Sequence, residues 1–423
     1  MNSPFNGDSA AVAARVRDAC TTAGSAAPRP NAGVPSPPLS RLSGIDAARG
    51  IAMIMVCLSH IRYQFDDVPE IYALLTYITR VATPMFLLLS GFVAAHVLSS
   101  GRAGARIAVV DRALCVLIVG HLLLNIEQLP QVGVADWLLS RVTVTDAIAL
   151  CLIVAAMCAQ LPTRLLLFAG AALALVSWPI AITAGTDWTV GQRLLVVLFD
   201  VRSGHNNLVD AAIAPYLGVF LIGMGLSKSS SSLIASREHV LLGRRLFMFG
   251  IIAVSSVLFA AFLWHELKGV APHLFGSSET AALFRQTLNP LQKLPPSPAY
   301  LPLYGGAGLL IAAACLAQRP RLLLEPVVKW AATIGRASLM AFVLQDWMLR
   351  SIPVLLGFDH LPSTLFWVAY FVGAVLVLHW CAARWDAARA NRFLTVGLKW
   401  LNRKHNTATA QASAPVEPVH GLR

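Results

Sequence analysis

Two ionisable residues in the first long apolar stretch of this 423-residue chain are of types that could do chemistry, Arg49 and His60. They stand eleven residues apart, which at roughly 100° per residue is about three turns plus about 20°, so both project from one stripe of a helix. Asp46 lies on the same stripe, three residues before Arg49. The two side chains start about 16 Å apart along such a helix, too far for one hydrogen-bonded dyad but suited to the two ends of a long ligand. A neutral imidazole accepts a proton near working pH, so His60 suits general-base work. Arg49, always charged, suits holding an anionic or carbonyl group. The same residues also fit a plainer arrangement, in which Asp46 and Arg49 pair across one turn and His60 reaches for lipid headgroups.

The elements that must hold these residues follow from composition. The chain is 57% hydrophobic and 13% charged, with a mean hydropathy of +0.65. A soluble chain carries roughly twice that charged fraction, so a soluble enzyme is excluded. Residues 165–182 and 246–264 contain no charge at all. The expected fold is an all-α polytopic membrane protein with spans near 45–62, 80–98, 113–129, 145–160, 165–183, 209–226, 246–264, 299–317, 332–355 and 364–383. Residues 71–79 and 193–201 are shorter apolar stretches suited to the interface or to re-entry. Residues 1–44, rich in Ala, Ser, Gly and Pro, read as a disordered tail without a cleavable leader. Residues 45–383 form one membrane domain, and 384–423 form a basic, mostly disordered tail.

The formal net charge of +12 is mostly a matter of topology. With the N-terminus cytoplasmic, that side holds 22 Lys and Arg outside the spans, and the opposite side holds seven: Arg62, Arg141, Arg193, Arg202, Lys268, Arg285 and Lys293. Such an excess orients the chain, and ten spans return the C-terminus to the cytoplasm. No nucleic-acid partner is expected. The seven cysteines lie mostly within apolar runs, without metal-ligand spacing, and read as small hydrophobes; no metal is expected.

The second span reads Arg80-Val-Ala-Thr83-Pro84-Met-Phe86-Leu-Leu-Leu-Ser90-Gly91-Phe92. Pro84 frees a carbonyl, and Ser90-Gly91 lets a helix or a ligand approach the backbone. With the Gly-Ile-Asp46-Ala-Ala-Arg49-Gly50 stretch and His60 of the first span, this resembles the transmembrane acyltransferase superfamily. That superfamily includes acyltransferase-3 proteins, glucan succinyltransferases and heparan-α-glucosaminide N-acetyltransferases. Three later segments are similar in the same order: Pro215-Tyr-Leu-Gly218 to Gly223, Lys293-Leu-Pro-Pro-Ser-Pro298-Ala-Tyr300, and Gly335-Arg336-Ala-Ser-Leu339.

The resemblance implies a multi-pass enzyme of the bacterial inner membrane. It would pass an acyl group, usually acetyl, from cytoplasmic acyl-CoA to a hydroxyl or amine of an extracytoplasmic glycan-type acceptor. His60 maps onto the essential histidine and Arg49 onto its partnering arginine. Arg102, Arg106 and Arg112, in the expected cytoplasmic loop after Ser90-Gly91, would meet the CoA phosphates, although plain positive-inside charge explains them equally. Where relatives carry a later histidine, this chain has Gln345-Asp346, and Asp346 stands four residues from Arg350, as an ion pair would. The most polar outer stretch, with Arg202, His205, Asn206 and Asp210, is the expected acceptor contact. A secondary transporter, or a non-catalytic component of envelope polysaccharide assembly, fits the composition too. A transporter would show matched halves, and Arg49, His60 and Ser90-Gly91 have no counterparts after residue 220.

Overall fold

The computed structural model describes residues 42–61, 70–100, 102, 104–126, 134, 142–183, 198–199, 212–267, 278–293, 295–317, 324–355, 364–398 and 400–401. The expected tail 1–44 lies almost wholly outside this set and the tail 384–423 beyond residue 401 does too, as do Arg202, His205, Asn206 and Asp210. The described residues form helices, with one isolated bridge between Lys293 and Pro296. In chain order these are α1 (Ser43–His60), α2 (Glu70–Thr79), α3 (Ala82–Leu98), α4 (Ala105–Asn125), α5 (Val144–Met157), α6 (Thr163–Thr183) and α7 (Ile213–Ser229). After a short α8 (Ser231–Ala235) come α9 (His239–Leu267), α10 (Ser278–Thr287), α11 (Tyr300–Leu316), α12 (Leu324–Arg336), α13 (Ser338–Asp346) and α14 (Thr364–Ala387).

Each expected span coincides with a helix or a bent helix pair, but the ten-span count is not carried by length and apolarity. Among the described residues five helices are long and apolar enough to cross a membrane: 74–98, Ala105–Asn125, 163–182, α9 and α14. The pair α12 and α13, bent by 82°, makes a sixth if taken as one span. The helices around 144–160, Ile213–Ser229 and Tyr300–Leu316 are shorter, and α1 carries Asp46 and Arg49. Two boundaries differ from expectation for identifiable reasons. Gly104, in the left-handed region at φ 75°, starts α4 well before residue 113, so Arg106 and Arg112 are helical and not in a loop. The short apolar stretch at 71–79 is α2, which runs into α3 with only a two-residue break.

Helix α1 lies in the core, touched by α3, α11, α12 and α13. Its buried positions include Gly44, Ala47, Ala48, Gly50 and Ala52, small residues of the kind that let helices approach closely within lipid. A Cβ placed on Gly50 would stand 1.9 Å from the carbonyl oxygen of Ala331, and one on Gly335 would stand 1.8 Å from that of Asp46. Helices α1 and α12 therefore cross backbone to backbone. Helices α3 and α7 do the same, since a Cβ on Gly91 would meet the Phe220 carbonyl at 2.0 Å and one on Gly223 the Leu88 carbonyl at 2.0 Å. The Pro-Pro-Ser-Pro segment makes the turn into α11. Ser297 Oγ donates to the Asn289 carbonyl at 2.7 Å and accepts from Tyr300 N–H at 3.0 Å. The buried Tyr300 hydroxyl then donates to the Arg80 carbonyl at 3.1 Å, fixing the start of α3.

The crossing of α1 and α12 generates a stability prediction. Gly335→Ala should destabilise the protein by about 1–3 kcal/mol or prevent its folding, because the facing atoms are backbone and cannot turn aside. Gly373→Ala on α14, where nothing lies within 4 Å, should leave the melting temperature in detergent unchanged or slightly higher. Equal melting temperatures for the two variants would contradict the close crossing.

Candidate active site

The bend between α12 and α13 falls at Ala337, whose φ of −100° and ψ of 26° leave the helical region. Its position is set by what flanks it. Gly335 is pressed on α1, Arg336 Nε donates to Asp386 Oδ2 of α14 at 2.8 Å, and Asn391 Nδ2 donates to the Arg336 carbonyl at 2.8 Å. The next residue after the bend, Ser338, thereby arrives at Arg49, whose Nη2 donates to Ser338 Oγ at 2.6 Å. Arg49 Nη1 also lies 3.9 Å from Asp46 Oδ1, and the guanidinium carbon stands 5.2 Å from the centre of the Phe86 ring. The expected turn-to-turn pairing of Asp46 and Arg49 is thus present, within a larger cluster drawn from α1, α3 and α13.

From Ser338, α13 continues alongside α1 in the same direction, and its polar residues come into contact with the far end of that helix. His60 Nδ1 is buried and lies 3.5 Å from Asp346 Oδ1. The same oxygen is 3.4 Å from Arg350 Nη1, so the expected pairing of Asp346 with Arg350 holds, but the carboxylate is shared. Asp346 is almost fully buried, whereas the His60 side chain keeps 22% of its exposure. A carboxylate facing Nδ1 favours the tautomer with its proton there, which leaves the lone pair on Nε2 for chemistry. The contact is looser than a formed hydrogen bond, as acid–base pairs often are before substrate arrives. Immediately after Asp346 the helix takes a π-turn, Trp347–Ser351, a distortion common at functional positions. It is held from both sides: Trp347 Nε1 donates to the Leu123 carbonyl at 2.8 Å, and the Tyr370 hydroxyl donates to the Met348 carbonyl.

The profile of the Acyltransferase domain family, acyltransferase 3, matches residues 42–383. The chain belongs to the acyltransferase-3 family. No curated protein and no solved structure gives a significant match. The matched region includes every residue of the two clusters around Arg49 and His60.

The other expected site residues are dispersed. Ser90 is buried in α3, and Gly91 sits at the crossing with α7. Arg102, Arg106 and Arg112 are exposed around the start of α4, which packs mainly on α5 and α3. Beside Arg112, Asp111 is buried and accepts hydrogen bonds from the Thr395 hydroxyl, Val396 N–H at 2.9 Å and Leu398 N–H at 3.1 Å, tying the chain beyond α14 to α4. Ser338 and the role of Asp346 toward His60 escape a reading of local spacing, because both contacts span almost three hundred residues. One signal was available for Asp346, namely a lone carboxylate in an apolar run, which must find a partner when buried. A second His–Asp contact, His121 Nδ1 to Asp146 Oδ2 at 3.0 Å, joins α4 to α5. There Asp146 Oδ2 also accepts from the Thr143 N–H at 2.7 Å and completes the capping box that begins α5.

If Ser338 fixes the Arg49 guanidinium, Ser338→Ala should lower stability by about 1–2 kcal/mol, whereas Ser338→Thr, which keeps the hydroxyl, should stay close to wild type. Thermal denaturation in one detergent compares them; a melting temperature for Ser338→Ala equal to that of wild type would remove Ser338 from the cluster.

Proposed function

We propose that this protein transfers an acyl group, usually acetyl, from cytoplasmic acyl-CoA to a hydroxyl or amine of a glycan-type acceptor across the bacterial inner membrane. The observation that carries this reading is the pairing of His60 with the buried Asp346 inside an acyltransferase-3 domain. The end of the bundle where α1 begins is the cytoplasmic end, since Lys and Arg are concentrated there, and ten crossings bring both termini to it. His60 then stands in the outer half of α1 and Arg49 in the inner half.

In the transfer, His60 Nε2 takes the proton of the acceptor O–H while the acceptor oxygen attacks the thioester carbonyl. The C–S bond breaks as the new C–O bond forms, and the departing CoA thiolate takes up the proton from the imidazolium. Asp346 stabilises the imidazolium that forms between the two proton transfers, the role a carboxylate plays toward a general-base histidine. Arg49, held by Ser338 and Asp46, faces the inner part of the donor and acts as a fixed positive group along its path. The polar stretch with Arg202, His205, Asn206 and Asp210 is the proposed acceptor contact. Lipid is the surrounding solvent, and no nucleic acid takes part.

Purified protein in lipid nanodiscs, given labelled acetyl-CoA and envelope glycan, should label the glycan. His60→Ala should abolish labelling, and Asp346→Asn should lower kcat by about 10²–10⁴ with little change in the KM for acetyl-CoA. A protein that labels nothing in a CoA-dependent manner, or a His60→Ala variant with full activity, would refute this function.

A further inference from the structure

A cavity of about 950 Å³ opens at the end of the bundle where α1 begins. Its volume lies in the range of sites that hold a cofactor-sized ligand. The charged and titratable residues that line it are Arg237, Glu238, His239, Glu325, Lys329 and Arg336. Three helices, α1, α9 and α12, begin at this cavity, with Ser43 and Gly44, His239, and Glu325 respectively in its wall. Each helix start presents backbone N–H groups and the positive end of the peptide dipoles. Leu42 precedes α1 and offers no side-chain cap to those groups. The end of α11, at Cys315 and Leu316, and the end of α12, at Arg336, contribute negative poles.

The cations of the wall differ in their freedom. Arg336 is committed to Asp386 at 2.8 Å. Lys329 pairs with Glu325 at 2.5 Å, but its side chain is 74% exposed, and an exposed pair of this kind yields readily to a phosphate. Arg237 is exposed and occupies a left-handed position at φ 58°, after α8, where glycine is the usual residue. The cavity lies about one and a half turns of α1 from the site already described: Gly44 in its wall precedes Arg49 by five residues, a rise of about 8 Å. Arg336, also in the wall, directly follows Gly335, which is pressed on Asp46 of α1.

We propose that this cavity, and not the region of Arg102, Arg106 and Arg112, receives the phosphorylated nucleotide end of the acyl-CoA donor, with Arg237 and Lys329 meeting its phosphates. The inference rests on acyl-CoA being the donor. From this cavity the carrier arm runs outward along α1, past Arg49, toward His60.

Full-length protein in lipid nanodiscs would be titrated with coenzyme A by calorimetry. The pair Arg237→Gln/Lys329→Gln should weaken binding at least tenfold, in line with the loss of charge-assisted contacts to phosphate, and the pair Arg102→Gln/Arg106→Gln should weaken it less. Both pairs change exposed side chains, and melting temperatures equal to that of wild type would show that each variant is folded. If wild type binds coenzyme A and the cavity pair binds it as tightly, or if the Arg102/Arg106 pair carries the larger loss, the placement is wrong while the donor stands. If wild type does not bind coenzyme A at all, the donor itself is wrong and the placement falls with it.

Discussion

Helices α1 and α12 meet with no side chain between them, at Gly50 and Gly335, and the arrangement of the polar residues depends on that contact. In a bilayer, apolar side chains gain little by leaving lipid for one another, so helices are held by close packing and by polar contacts between them. A hydrogen atom is all that fits at either glycine: a Cβ would lie 1.9 Å or 1.8 Å from a backbone oxygen. The two helices therefore have one register, since sliding either would drive a larger side chain into the facing backbone. With that register fixed, the bend at Ala337 releases the chain beside Arg49 and sends α13 along α1 toward His60.

The buried charges follow from this geometry. Asp46, Arg49, His60 and Asp346 would each be costly in an apolar bundle, and each meets a partner, Asp46 on its own helix, Arg49 and His60 on α13, and Asp346 on α1. Arg49 finds Ser338 and Asp46, and His60 finds Asp346, which Arg350 shares. The stripe on α1 thus becomes a line of polar groups from the basic end toward the opposite end. Such a line suits a long carrier whose charged head stays at one face while its reactive tip reaches the other half. The π-turn after Asp346 is consistent with that use, because it is pinned to α4 by Trp347 and to α14 by Tyr370.

Much of this was legible in the sequence, and the residues show why the rest was not. The helices were readable because the apolar runs are long and nearly free of charge. The stripe of Arg49 and His60 was readable because helical periodicity is local. The bend between α12 and α13 was not, since nothing in Gly335-Arg336-Ala337-Ser338 forbids a continuous helix; it is imposed by contacts to α1 and α14. Asp346 pairs with Arg350 as their four-residue spacing suggests, but its nearness to His60 depends on a helix almost three hundred residues earlier. Ser90-Gly91 suits a helix contact or the approach of a ligand, and the Phe220 carbonyl of α7 faces Gly91. Arg106 and Arg112 stand among charged residues that suit a loop, and it is Gly104 that begins a helix ahead of them.

The central claim is that a donor carbonyl is delivered to His60 from the end of the bundle where α1 begins. A structure of the protein in lipid, bound to the non-cleavable ketone analogue acetonyl-CoA, tests it most directly. The claim predicts the ketone carbon within about 3–3.5 Å of the position for an attacking group that His60 Nε2 can deprotonate, with the carrier arm lying along α1 past Arg49. An analogue bound with its ketone beyond hydrogen-bond reach of any group on His60, or along a path that does not touch α1, would contradict it.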